Sequence, residues 1–238
     1  MIKKSEIDYK LNKFFGNLYK DHVFFYTTSA TSALELGCLG LNLQPGDEII
    51  MPTYNYVGVA QAFVKNGVKV VLIDSEPNTM NIDLNLVEKA ITSKTKALMI
   101  MHYGGMACYI EKAQNICNKH DLFLVEDNAQ GFFAKYKDEY LGSFGDVACI
   151  SFENSKNVSV GEGGLLIVKK NIANHFHQFY NTGTDKRQFD NNERDFYQWK
   201  TLGFKYYMSS LLKEILYDKL LKFNNKERLD KWNELFIL

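Results

Sequence analysis

Residues 151–164 of the 238-residue chain read Ser-Phe-Glu-Asn-Ser-Lys-Asn-Val-Ser-Val-Gly-Glu-Gly-Gly. The apolar runs Val147–Ile150 and Leu165–Val168 flank this stretch and predict two buried strands. A lysine held between two core strands is partly desolvated, and desolvation favours the neutral, nucleophilic amine. The glycines allow positive φ angles and the close approach of a flat ligand. By itself this pattern does not establish a site, because most lysines are solvated surface charges.

Two other stretches complete the pattern. Residues 125–131, Val-Glu-Asp-Asn-Ala-Gln-Gly, place the acid Asp127 at the end of a predicted strand. Residues 27–33, Thr-Thr-Ser-Ala-Thr-Ser-Ala, are small and rich in hydroxyl groups, and they open a predicted helix that Ser29 can cap. A lysine for a Schiff base, an acid for a pyridinium nitrogen and a helix N-terminus for a phosphate are the groups that pyridoxal phosphate requires. The sequence therefore predicts a site for this cofactor.

Charge and cysteine content narrow the function class. With 28 basic and 28 acidic residues the formal net charge is zero, which gives no electrostatic case for binding nucleic acid or an anionic membrane. The four cysteines form no Cys-x-x-Cys pair, so we expect reduced core residues and no metal site. The N-terminal residues lack the apolar segment of a signal peptide, and no apolar run approaches the length of a membrane span. We expect a cytoplasmic protein.

Short β-branched runs alternate with helical segments from about residue 5 to about residue 170, a pattern that predicts an α/β fold with a mostly parallel sheet between helices. Ligands of such sheets bind beyond the carboxyl ends of the strands, and Asp127, Ser151 and the loop before Thr31 fall near such ends. The chain turns polar over residues 181–194, which predicts an exposed loop, and two helices are expected over residues 208–223 and 226–236. We divide the chain into a cofactor-binding large α/β domain, 1–180, and a segment of loop and helices, 181–238, leading towards a C-terminal domain.

These motifs together resemble the DegT/DnrJ/StrS sugar aminotransferases, which are pyridoxal-phosphate enzymes of the aspartate-aminotransferase fold (fold type I). The resemblance rests on Ser-Phe-x-x-x-Lys-Asn with Gly-Glu-Gly-Gly, on Glu-Asp-x-Ala-Gln-Gly and on the hydroxyl-rich loop. It extends through residues 43–52, 74–83 and 102–104 and covers the chain from about residue 8. The detail is closest to the branch that makes dTDP-4-amino-4,6-dideoxygalactose from the 4-keto sugar.

The resemblance implies roles for seven residues. Lys156 would form the Schiff base and move the proton, Asp127 would pair with the pyridinium nitrogen, and Gln130 would bind the ring hydroxyl. The Ala30 N–H and the hydroxyls of Thr31 and Ser151 would hold the phosphate, and Tyr56 would stack on the ring. Simpler roles stay open: Asp127 can cap a loop, Tyr56 can be a core residue, and Thr31 and Ser151 can be capping residues. A branch of sugar 3-dehydratases has histidine at the lysine position, so Lys156 favours transamination.

The chain departs from the family pattern at several places. Glu153 stands where the family usually has histidine, and the 185–187 loop has Asp185-Lys186 where the nearest relatives have Asn-Arg. Residues 210–214 also differ from the usual sequence. Family members begin earlier and continue into a small C-terminal domain. We therefore expect exposed or dimer-buried leucine and isoleucine residues on the helix near residue 215, namely Leu211, Leu212, Ile215, Leu216 and Leu220.

The sequence leaves two hypotheses for the function open and disfavours a third. The first is a homodimeric aminotransferase with its site at the interface, which transfers an amino group from glutamate to a nucleotide-linked 4-keto-6-deoxy sugar for cell-surface polysaccharide or lipopolysaccharide. The second is a truncated, catalytically impaired homologue that binds the cofactor, or a partner subunit. A dinucleotide-binding protein is disfavoured, because residues 161–164 precede a strand and do not open a helix.

Overall fold

The computed structural model describes residues 4–224 and residue 226, and it contains one seven-stranded sheet with helices on both faces. The sheet strands are β1 (His22–Thr27), β2 (Glu48–Pro52), β3 (Lys69–Ile73), β4 (Thr95–Met101), β5 (Phe123–Asp127), β8 (Val147–Ser151) and β9 (Gly164–Lys169). A separate hairpin pairs β6 (Lys135–Tyr136) with β7 (Glu139–Tyr140). The α-helices are α1 (Lys4–Leu18), α2 (Ala30–Gly40), α3 (Val57–Val64), α4 (Leu84–Ala90), α5 (Ile110–His120), α6 (Phe176–Tyr180), α7 (Lys186–Asp190) and α8 (Ser210–Lys222). The helix predicted over residues 226–236 lies outside the described residues.

The strands lie in the order β1-β9-β8-β5-β4-β2-β3. The pairs β2–β3, β2–β4, β4–β5 and β5–β8 are parallel, which confirms the predicted mostly parallel sheet. β9 runs antiparallel to both β8 and β1, because the short connection 152–163 turns the chain back beside β8 without a crossover helix. The stretch that carries Lys156 is therefore a loop between two adjacent strands, as its flanking apolar runs predict.

The alternation of side chains along each strand builds two separate cores. On β8, Val147 and Cys149 face the core formed with α2 and α3, whereas Ala148 and Ile150 face the core formed with α1 and α8. A third cluster on that second face packs α5 against β4 and β5, and α4 against β3 and α5. Both faces of the central strands are buried, which is why these strands read as continuous apolar runs.

Helix α8 packs against α1, and this contact corrects one expectation. Leu216 and Leu220 are buried at 0% and 4% exposure in the core beside α1, so they do not belong to an exposed or dimer-buried patch. Leu212 is half-buried in the same core, and of the five expected residues Leu211 and Ile215 are exposed, as is Leu221 near the end of the helix. The two helices are also joined by an ion pair of 2.5 Å between Lys213 and Asp8.

Residues 181–208 return to the sheet. Tyr206 lies in the core on the α2 face, and Tyr207 forms a bridge with Thr27 at the end of β1. The predicted division at residue 180 stays a prediction, while the packing of residues 206–220 joins them to the same cores as the sheet. None of the helices in the described part of the chain combines the length and apolarity needed to cross a bilayer.

Candidate active site

The strand ends converge at one edge of the sheet. Thr27, Gly164 and Ser151 are in register across β1, β9 and β8, and Asp127 at the end of β5 is in register with Cys149 and Met101. A cavity of about 530 Å³ opens beyond this edge. Its wall consists of Ser29, Ala30, Thr31, Leu34, Asn55, Tyr56, Val59, Met101, Asp127, Ala129, Gln130, Cys149, Ser151, Glu153, Ser155 and Lys156.

The structure brings together all the residues that the sequence singles out. The seven predicted site residues, Ala30, Thr31, Tyr56, Asp127, Gln130, Ser151 and Lys156, all line this single cavity although they lie up to 126 positions apart in the chain (156 − 30). Their roles toward a cofactor stay predictions, but their common location agrees with the placement expected of ligands beyond the carboxyl ends of parallel strands.

The Lys156 loop is anchored by its apolar residues. Phe152 and Val158 are buried at 0% and 3% exposure, and the Asn157 side chain donates to the Phe132 carbonyl at 3.2 Å. Lys156 itself is half-buried, and its ammonium group forms no ion pair or hydrogen bond with any of the described residues. A lysine that lines a cavity on a fixed loop and has no partner is available to a ligand.

The N-terminus of α2 forms a second wall of the cavity. The Ser29 side chain caps the helix by accepting the Ser32 N–H at 3.0 Å, and the Ser29 carbonyl accepts the Ala33 N–H. Ala30 and Thr31, in the first turn of this helix, line the cavity, and the free N–H groups of a helix N-terminus stabilise anions. Gly164 makes this arrangement possible, because a Cβ there would lie 2.3 Å from the Ser29 backbone. The close approach that the glycine allows is therefore to backbone rather than to a flat ligand.

Asp127 is almost completely buried, at 2% exposure. Its Oδ1 accepts the Ala129 N–H at 3.1 Å and the Cys149 thiol at 3.4 Å. Oδ2 accepts no hydrogen bond from the part of the chain that the structure describes. Burial raises the pKa of this carboxyl above its ordinary value, although both donors and the positive charge of Lys156 oppose the shift. Asp127 therefore does cap the loop that follows it, and it does so with Oδ1 alone.

Three polar side chains complete the wall. The Gln130 Oε1 accepts the Gly104 N–H at 2.7 Å, which leaves its amide N–H groups as donors. The Asn55 Nδ2 is buried without a partner among the described residues, although its Oδ1 accepts the Tyr56 N–H at 2.7 Å. Tyr56 is 70% exposed, so the alternative that it is a core residue is wrong. The Tyr56 ring lies at the rim of the cavity, close to Thr31. Gly58 lies against both side chains, since a Cβ added to Gly58 would contact the Tyr56 ring and the Thr31 hydroxyl.

Glu126, next to Asp127 in the chain, has a carboxylate whose two oxygens both accept hydrogen bonds. Glu126, at 0% exposure, accepts His102 Nε2 at 2.8 Å and the N–H groups of Gly142, Phe144 and Gly145. Burial raises the pKa of Glu126, but the imidazole and the backbone donors outweigh it and hold the pKa below its ordinary value. His102 Nδ1 accepts the Cys108 N–H at 3.2 Å, so the proton of the neutral ring lies on Nε2 and points at Glu126.

Sequence reasoning missed two residues of this wall, Asn55 and Cys149. Asn55 lies three residues after Pro52, the last residue of β2, and a polar residue just beyond a parallel strand is a sequence signal for such a site. The sequence predicts Cys149, like the other cysteines, to be a reduced core residue, and its free thiol and 0% exposure agree with that prediction. Its position two residues before Ser151 places it on the same face of β8, and that spacing was the missed signal.

A second cavity, of about 620 Å³, shares no residue with the first. Its wall comes from the polar segments 171–178 and 184–193, and several of its side chains bond to each other. Arg187, for example, donates to Asn174 at 3.0 Å. It contains no predicted site residue.

Comparison with known proteins identifies the family. Residues 4–234 match the model of the DegT/DnrJ/EryC1/StrS aminotransferase family. The chain is 37% identical over 150 residues to GDP-perosamine synthase of Escherichia coli O157:H7, covering 62% of this chain and 41% of that protein. It is 32% identical over 187 residues to the spore coat polysaccharide biosynthesis protein SpsC of Bacillus subtilis, covering 77% of this chain and 48% of that protein.

Among solved structures, the sugar aminotransferase Spr1654 of Streptococcus pneumoniae in its PLP form aligns with a TM-score of 0.84 at 23% identity. The alignment covers 100% of this chain and 64% of that one, and the same protein is also known in a PMP form. The predicted fold of the PLP-dependent transferases is confirmed by this match. The chain belongs to the DegT/DnrJ/EryC1/StrS aminotransferase family, an enzyme family whose cofactor is pyridoxal phosphate. It spans less than half the length of the two curated relatives.

Proposed function

We propose that this chain carries the cofactor site of a pyridoxal-phosphate-dependent aminotransferase acting on a nucleotide-linked keto sugar. The observation that carries the proposal is the unpartnered Lys156 in one cavity with the buried, half-satisfied Asp127 and the N-terminus of α2. These three features supply the nucleophilic amine, the acid for a ring nitrogen and the anion site that this cofactor requires.

The wall of the cavity fits the group. Asn55 Nδ2 is a buried polar atom without a partner among the described residues, and such atoms indicate a ligand. Asp127 Oδ2 accepts no hydrogen bond from those residues either, since both donors reach Oδ1. Ala30, Thr31 and Ser151 would hold the phosphate, Gln130 would donate to the ring hydroxyl, and Tyr56 would cover one face of the ring. Leu34, Val59 and Met101 give the cavity an apolar side.

When bound, the cofactor supplies an electron sink for the carbon that exchanges the amino group. The chain's own residues do the rest. Lys156 would hold the cofactor through its amine and, as a base, would move the proton at the substrate carbon. Asp127 would keep a proton on the ring nitrogen, which is needed for that sink to work. Asp127 is 2% exposed, so its carboxylate is largely shielded from bulk water.

The substrate follows from the relatives at the coarse level only. A nucleotide-linked keto sugar agrees with the GDP-perosamine synthase relative, and use in a polysaccharide agrees with the spore coat relative. We propose a 4-keto-6-deoxy sugar as acceptor, glutamate as donor and a cell-surface polysaccharide or lipopolysaccharide as destination. The expectation of a dTDP-linked galactose derivative stays a prediction, since the relative cited here is named for a GDP sugar.

The assembly is also proposed. Tyr56, which lines the cavity, is 70% exposed, and the adjacent Val57 is 63% exposed. Exposed apolar side chains beside a cavity favour cover by another protein surface. A homodimer with the cavity at its interface would supply that cover.

A second function is favoured by Glu153. Its Oε2 accepts both the N–H and the hydroxyl of Ser155, and those bonds hold the pKa of Glu153 below its ordinary value, so a negative charge stands at the rim beside Lys156. A fixed negative charge near a phosphate site weakens anion binding. A cofactor-binding homologue with impaired turnover, or a partner subunit, would have this feature.

The test is an absorbance spectrum of the purified protein with pyridoxal phosphate, beside Lys156→Ala. We expect a visible band in the wild type that the variant lacks, that disappears on addition of glutamate and that returns with the keto sugar. A band that ignores glutamate supports the impaired homologue. A wild-type spectrum identical to that of Lys156→Ala contradicts the proposed function.

A further inference from the structure

Cys149 is a buried cysteine whose thiol has a defined hydrogen-bond acceptor. It lies on β8 at 0% exposure, in register with Asp127 on the neighbouring strand. Its Sγ is 3.4 Å from Asp127 Oδ1. The other three cysteines, Cys38, Cys108 and Cys117, are equally free and buried, and none of their thiols donates to a described residue. The four cysteines are therefore not equivalent.

The orientation of the Asp127 carboxylate depends on two donors. The Ala129 N–H and the Cys149 thiol both reach Oδ1, one from the following loop and one from the adjacent strand. Two donors on the same oxygen restrict rotation of the carboxylate about its Cβ–Cγ bond. Oδ2, which accepts nothing from the described residues, is then the oxygen left for the cavity.

Burial also fixes the protonation state of the donor. The Cys149 thiol has its pKa raised well above the ordinary value by burial and by the neighbouring Asp127 charge, so it keeps its proton. A thiolate could not donate, and a carboxylate beside a thiolate would be repelled. The pair is stable only with the proton on sulfur, which is the donor state.

We propose that Cys149 is a positioning residue that turns Asp127 Oδ2 toward the cavity, where the proposed cofactor's ring nitrogen would bind. This inference rests on the proposed function for the identity of the ligand, but the orientation of Asp127 is a property of the cofactor-free protein. Cys149 acts through Asp127 and needs no contact with the cofactor.

The experiment compares three variants with the wild type. Cys149→Val keeps the approximate volume and removes the donor, and Cys149→Ser keeps a donor. Cys38→Ala removes a thiol that is also at 0% exposure but lies on α2 and does not donate to Asp127. The first readout is the titration of the Asp127 carboxyl by ¹³C NMR in the cofactor-free protein, with Asp127→Asn assigning the signal. The groups that act on this carboxyl are Cys149 on β8, His102 after β4 and Lys156 in its loop.

We expect Cys149→Val to titrate Asp127 at higher pH than the wild type, because a donor to the carboxylate form is lost. The same variant should bind pyridoxal phosphate roughly threefold to tenfold more weakly, the range for one hydrogen bond. Cys149→Ser should restore both values toward the wild type, and Cys38→Ala should match the wild type.

Equal values for Cys149→Val and the wild type overturn the inference. So do equal shifts in Cys149→Val and Cys149→Ser, which would assign the effect to packing. If Cys149→Val does not fold, Cys149→Ala replaces it with the same criteria. Failure of the proposed function has a different signature: the wild type itself would not bind pyridoxal phosphate, whereas the NMR comparison would still decide the role of Cys149.

Discussion

Glu126 and Asp127 are consecutive residues at the end of β5. Their side chains lie on opposite faces of the sheet, and the two carboxylates differ in how many hydrogen bonds they accept and in the direction of their pKa shifts. Both are buried, at 0% and 2% exposure. Glu126 receives an imidazole and three backbone donors on its two oxygens, and its pKa is lowered. Asp127 receives two donors on one oxygen only, and its pKa is raised, chiefly by burial. Burial alone does not distinguish a structural acid from one that awaits a ligand; the number of donors does.

Glu126→Ala should have the largest effect. It removes the acceptor of four donors, three of them buried, and loss of one partner of a buried charged pair costs about 3–5 kcal/mol of the free energy of unfolding. Urea denaturation of the cofactor-free protein measures this. Glu139→Ala, at an exposed position of β7, is the control and should change the free energy little. A cost for Glu126→Ala as small as that of Glu139→Ala would contradict the structural role.

Asp127→Asn should separate binding from stability. It removes the charge that the cofactor would pair with, so the Kd for pyridoxal phosphate should rise roughly tenfold to a hundredfold, as for a charge-assisted hydrogen bond. The cofactor-free protein should melt at the same temperature or a few degrees higher, on the order expected for relief of a buried charge. Differential scanning fluorimetry and a binding titration measure the two effects. Weaker binding with equally lower stability would place Asp127 with Glu126 as a structural acid.

The pH dependence should be the smallest effect, with opposite signs for the two acids. Because the folded-state pKa of Asp127 is raised, its contribution to stability is present below the ordinary pKa of about 3.9 and is lost as pH rises through the raised value. Glu126, with a lowered pKa, contributes stability above its ordinary value and loses it as pH falls through the lowered one. The melting temperature of Asp127→Asn minus that of the wild type should therefore grow as pH rises. A difference independent of pH would mean that Asp127 titrates normally.

The sequence predicts the site better than its surroundings. Lys156, Asp127 and the α2 start could be predicted because each lies in a segment that follows an apolar run, and parallel strands bring such ends together. Strands β8 and β9, which flank the Lys156 loop, could also be predicted, because each contains four or more consecutive apolar residues. Only the direction of β9 required the structure, because a twelve-residue connection, 152–163, does not by itself define a hairpin.

Contacts between distant residues could not be predicted. His102 meets Glu126 across 24 positions, and Cys149 meets Asp127 across 22, and both contacts depend on strand register. Leu216 and Leu220 were expected to be exposed or dimer-buried because the sequence does not show that α1 lies beneath α8. The hydrophobic pattern of the sequence predicts which face of a helix or strand is apolar. Which other element packs against that face depends on the whole fold.

The most direct measurement is borohydride reduction of the protein with pyridoxal phosphate, followed by peptide mass spectrometry. Reduction fixes an imine to the lysine that formed it. If the unpartnered lysine beside Asp127 is the cofactor lysine, one pyridoxyl group per chain should lie on the peptide that contains Lys156, and Lys156→Ala should carry none there. Label scattered over surface lysines, or a stoichiometric label on another lysine, would contradict the account.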